Sequence, residues 1–97
     1  MNQENRVDLY QAITRIKSED LAKRFLEDVC SPKELDALAD RLKVAKLLNE
    51  EISYRDISHQ TGTSTATITR VARALNHGTN GYKDIITKKG INNALRK

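Results

Sequence analysis

Cysteine occurs once in the 97 residues, as Cys30, so no disulfide can form within the chain, and such usage fits a reducing cytoplasm. Histidine is nearly as scarce: His59 and His77 stand far apart, and with one cysteine they make no metal site. Neither is placed by sequence to activate Cys30, so a packed structural cysteine is the simpler reading and an enzymatic one falls away. The four glycines nowhere cluster into a phosphate-binding loop. No apolar run approaches the roughly 20 residues that span a membrane, and the opening MNQENRVDLY has no signal-peptide core. Tryptophan is absent, and with one Phe and three Tyr in a chain that is 38% hydrophobic, the single domain expected of 1–97 is lean for a monomeric core. Dimerisation would supply the missing burial.

Charge is present in quantity and unevenly spread. Residues 1–53 hold nine Lys/Arg against eleven Asp/Glu, a net of −2, and residues 54–97 hold eight against two, a net of +6, which together give the overall +4. An acidic scaffold carrying a basic head is the electrostatic footprint of a nucleic-acid binder. For Lys88, Lys89, Arg96 and Lys97 the alternative is a merely solubilising tail.

The basic half contains Ser53 to Leu75, SYRDISHQTGTSTATITRVARAL, which reads as a helix, a tight turn and a second helix. Ser53 caps the first helix, Tyr54 to Gln60, which carries Ile57 inward; Gly62 supplies the positive φ of a sharp turn, and Ser58 is small enough for close helix crossing. Along the second helix, from about Ser64, the spacing of Ile68, Val71 and Leu75 marks the packed face. Thr65, Ala66, Thr67, Thr69, Arg70 and Arg73 are left for the other faces. Small and polar at its start and cationic beyond, that surface suits the DNA major groove, where hydroxyls, methyls and guanidinium groups can read base edges or hold phosphates. The competing reading is an ordinary corner of two helices in an all-helical core.

Around this pair the pattern is helical throughout. Glu4 to Lys17 brings Leu9, Ile13 and Ile16 to helical spacing, flanked by Val7 and Tyr10, as an amphipathic helix. Ser18 caps a second, with Leu21, Phe25, Leu26 and Val29 on its apolar face. Both are too short to stand alone, so they dock either on a second chain or within their own. Ser31-Pro32-Lys33-Glu34 opens a central helix over 31–50 as a capping box with proline at the first helical position. Its buried stripe is expected at Leu35, Leu38, Leu42, Ala45 and Leu48. His77 to Gly81 reads as a flexible stop, and 82–97 as a partly flexible segment whose apolar patch is Tyr82, Ile85 and Ile86.

The run from Ser31 to about Gly78, above all ATITR at Ala66 to Arg70 after a glycine turn and ELDAL after Ser-Pro, resembles the Trp repressor superfamily and most closely its YerC/YecD branch. The resemblance implies an all-α fold, an intertwined homodimer formed through residues 1–30, and two reading heads on a palindromic double-stranded DNA operator. It also implies a corepressor site in which Ser31 meets the ligand and Arg41 and Arg70 sandwich it. Two departures alter that site: Val71 replaces a glycine that makes room for an indole, and Ala74 replaces a hydroxyl. The resemblance therefore implies either no effector or one other than tryptophan, a small amino acid or related metabolite. Phosphate contact, or ion pairing with Asp36 or Asp40, is the alternative for the two arginines.

Sequence alone thus points to a cytoplasmic DNA-binding transcriptional regulator, a repressor, located at the nucleoid when bound. Arg55 of the first motif helix and Thr65, Ala66, Thr67, Thr69 and Arg73 of the second are its expected DNA contacts. The reading from another class is a module that docks a protein partner in a transcription or replication complex. Steep salt dependence would separate the first from the second.

Overall fold

The computed structural model describes residues 2–89. Among these the chain is all helical, with six helices in the order α1 (Asn2–Ile13), α2 (Glu19–Val29), α3 (Pro32–Asn49), α4 (Tyr54–Thr61), α5 (Thr65–His77) and α6 (Gly81–Lys89). Residues up to Leu35 form one compact unit and those from Asp36 onward another.

In the first unit α1 stops a turn earlier than its sequence pattern suggests. Arg15 N–H donates to Ala12 O at 3.0 Å and Ile16 N–H to Ile13 O at 3.1 Å, bonds of the tighter three-residue kind that close a helix. The Thr14 hydroxyl donates to Gln11 O at 2.7 Å, and Ile16 falls outside the helix. Nor do the apolar side chains of α1 share one face: at roughly 100° per residue, Val7 lies about opposite Leu9 and Ile13. Ser18 caps α2 as expected, its Oγ accepting from Leu21 N–H at 3.0 Å. Leu21, Phe25 and Leu26 are half-buried there, whereas Val29 is exposed. Cys30 is half-buried rather than buried, and its N–H ends the helix by donating to Leu26 O at 2.8 Å. The predicted capping box opens α3, with Ser31 Oγ accepting from Glu34 N–H at 3.1 Å and Glu34 Oε1 accepting from Ser31 N–H at 2.8 Å.

The second unit has a closed core. Val44, Ala45 and Leu47 of α3, Ile57 of α4, Ile68 and Val71 of α5, and Ile86 of α6 are buried together, with Leu42, Leu48, Ile52 and Tyr82 packed against them. Ile57, Ile68 and Val44 are fully enclosed, each contributing about 1.5–3 kcal/mol, well above what an exposed ion pair supplies. This core corrects the expected stripe of α3. Val44 and Leu47 are inside, Leu38 is exposed, and Leu35 is half-buried. The cause is that burial follows the second unit, which surrounds the C-terminal half of α3 on a wider arc than a single stripe.

Helix α3 ends in a Schellman turn: Ile52 N–H donates to Leu47 O at 3.1 Å and Glu51 N–H to Leu48 O at 2.9 Å. Glu51 occupies the left-handed position at φ 63° that glycine usually fills. Helix α5 stops at His77, where the sequence pattern places its end. Gly78 N–H donates to Ala74 O at 3.0 Å, and a Cβ on Gly78 would lie 2.4 Å from that same oxygen. Asn80, at φ 73°, then leads into α6, which runs from Gly81 to Lys89. Its patch is divided, Ile86 being buried, Tyr82 half-buried and Ile85 exposed. Residues 90–97 lie outside the described residues.

Candidate nucleic-acid interface

The paired helices α4 and α5 are built by short-range bonds. Ser53 Oγ accepts from Asp56 N–H at 3.1 Å and Ser64 Oγ from Thr67 N–H at 3.2 Å, so each helix starts on a serine cap. Between them Gly62 takes the left-handed conformation at φ 73°, its N–H donating to Ser58 O at 2.8 Å. Two side chains that the sequence pattern did not single out as turn bonds hold this corner. The Ser58 hydroxyl donates to Thr63 O at 2.9 Å. Thr61 Oγ1 donates to Ile57 O at 2.7 Å and accepts from Thr63 N–H at 3.1 Å. Ile57 of α4 and Ile68, Val71, Ala72 and Leu75 of α5 are buried beneath the outer faces of the two helices.

Arg55, Thr65, Ala66, Thr69, Arg70 and Arg73 are all exposed. At roughly 100° per residue, Ala66, Thr69, Arg70 and Arg73 share the face of α5 opposite its buried residues. Arg55 and Thr65 meet across a concavity also lined by Ser53, Tyr54, Asp56, Ser58 and His59. Thr67 is half-buried on the flank of α5, and its Oγ1 accepts from Ser64 Oγ at 3.1 Å. Of the residues lining the concavity, Tyr54 and His59 are by sequence most simply surface or packing residues and both are exposed. Asp56 is not singled out by the pattern, because at roughly 100° per residue it lies off the side shared by 54, 55, 58 and 59.

The residues implied for an effector are differently placed. Ser31 is exposed, with its hydroxyl engaged in the α3 cap. Arg41 is half-buried on α3 and Arg70 exposed on α5. Among the described residues the ion pairs are Arg24 with Asp20 and Lys23 with Glu27, so neither arginine is paired with Asp36 or Asp40. Val71 is 2% exposed and packs in the core. Among the described residues no cluster of three His, Cys, Asp or Glu is arranged to hold a metal ion, and no helix is long and apolar enough to cross a membrane.

Two capped helices meet around a glycine corner, with Arg55, Arg70 and Arg73 exposed on their outer surface, in an all-α protein. The chain belongs to the Trp repressor family, DNA-binding regulators rather than enzymes, whose sequence profile, described as Trp repressor protein, matches residues 4–90. It is 43% identical over 75 residues to the uncharacterised protein YerC of Bacillus subtilis strain 168, which spans 77% of this chain and 72% of that one, and so falls in the YerC-like branch. Among solved structures, a TrpR-like protein from Eubacterium eligens is 46% identical, with a TM-score of 0.81 and 87% of each chain covered. A candidate Trp repressor from Staphylococcus aureus is 33% identical, with a TM-score of 0.84 over 91% of this chain and 88% of that one.

Proposed function

We propose that the protein is a homodimeric repressor that binds a palindromic DNA operator through α4 and α5. The observation that carries this reading is the exposed surface of that helix pair, on which Arg55, Arg70 and Arg73 stand over a buried apolar layer. Arg55 and Thr65 reach the edge of the duplex, and Ala66, Thr69 and Arg73 enter the major groove as α5 is lowered into it. The dimer is supported by the first unit, where Val7, Leu9, Tyr10, Ile13 and Val29 are exposed on helices too short to persist unaided. Two-fold symmetry then places half-sites about one turn of DNA apart.

The test is selection of bound sequences from random duplex DNA, followed by titration of the best binder in rising salt. A palindromic consensus should emerge, with affinity falling by orders of magnitude between about 50 and 200 mM salt. Arg55→Ala should cost about 1–3 kcal/mol of operator binding without changing the melting temperature. Enrichment of no sequence, or binding indifferent to salt, would defeat the proposal.

Control by a small effector is part of the same proposal. Arg41 and Arg70, both without an ion-pair partner among the described residues, are cations suited to a carboxylate, and the core-filling Val71 argues for a ligand smaller than an indole. Titrating the natural amino acids with and without operator tests it, because coupling must be reciprocal. A ligand whose affinity is unchanged by operator would exclude a corepressor role.

A further inference from the structure

The concavity between α4 and the start of α5 is lined in part by a residue ill suited to a phosphate-facing surface, Asp56. It lines that concavity with Arg55, His59 and Thr65 and is exposed. No cation neutralises it, since the ion pairs among the described residues are those of Asp20 and Glu27. Its backbone N–H is fixed to Ser53 Oγ at 3.1 Å, so the side chain leaves from a pinned first turn. Between residues 54 and 77 it is the one acid, set against Arg55, Arg70 and Arg73. A carboxylate in the first turn of a helix also favours the helix dipole, and that is the alternative role the test must separate.

We propose that Asp56 is a charge brake on backbone binding: it opposes the phosphates that Arg55 and Arg73 attract and so sets how tightly the reading head holds DNA of any sequence. The inference rests on the reading of α4 and α5 as the DNA-contacting surface. Physically, the attraction of such a head for random duplex is almost wholly electrostatic, so one carboxylate per head subtracts from it directly. A head held back in this way depends more on the base-edge contacts of α5 to remain bound.

The experiment measures binding of the full chain to a random-sequence 30-base-pair duplex across a salt series, for the wild type, Asp56→Asn and Asp56→Glu, with melting temperatures alongside. Asp56→Asn should bind about three- to tenfold tighter near 100 mM salt, with a salt slope steeper by about one per reading head. Asp56→Glu keeps the charge and should match the wild type. Unchanged affinity and slope in Asp56→Asn, with only a lower melting temperature, would overturn the brake and leave a helix-dipole role, while the DNA reading would stand on the wild-type binding. Folded wild type and variants that all fail to bind duplex would overturn both.

Discussion

The two units of this chain differ less in composition than in what they enclose. From Asp36 onward, α3 to α6 close over Val44, Ile57 and Ile68 until these are inaccessible to solvent. Before it, none of residues 3–35 is buried, although Val7, Leu9, Ile13, Leu21, Phe25 and Val29 are as apolar as anything in the core. Helical pattern and good capping are present in both, so neither is enough for a core: four helices meeting from different directions can seal a side chain off, and two short ones cannot. The lesson is a division of labour in which one unit closes a core of its own and the other has apolar surface to offer.

The largest effect should come from placing the same charge in each unit. Ile57→Asp puts an unpaired carboxylate into the closed core and should cost more than about 4 kcal/mol, abolishing the cooperative thermal transition followed by circular dichroism. Ile13→Asp, on a residue that is 47% exposed, should keep that transition while weakening self-association, seen as a smaller sedimenting species at equal concentration. Equal loss of the transition in both variants would erase the distinction between the units.

Caps offer a smaller and sharper comparison. Ser64→Ala removes the acceptor for Thr67 N–H and the partner of its hydroxyl and should destabilise the reading head by about 1 kcal/mol in denaturant unfolding. Ser18→Ala removes an equivalent bond in α2 and should instead appear mainly in the dimer dissociation constant. The smallest change has the opposite sign. Glu51→Gly relieves the left-handed backbone at the end of α3 and should raise stability by up to about 1 kcal/mol, the gain being reduced by the greater freedom of glycine in the unfolded chain. A lower melting temperature in that variant would mean that the Glu51 side chain contributes more than its backbone costs.

What the amino-acid sequence determined by itself is the set of features whose partners lie within a few residues. The caps at Ser18, Ser31, Ser53 and Ser64, the left-handed Gly62 and the inward spacing of Ile68, Val71 and Leu75 are all satisfied inside one helix and its flanks, so local pattern is enough to read them. Tertiary structure decided the rest. Whether Val44 and Leu47 or Leu38 would be buried depended on which half of α3 the other helices surround. Tyr54, Asp56 and His59 came to share a concavity with Thr65 only because the corner held by Ser58 and Thr61 fixes how α4 meets α5. Those relations join residues across a turn or between helices, and their geometry follows from packing in three dimensions, which a periodicity along one helix does not encode.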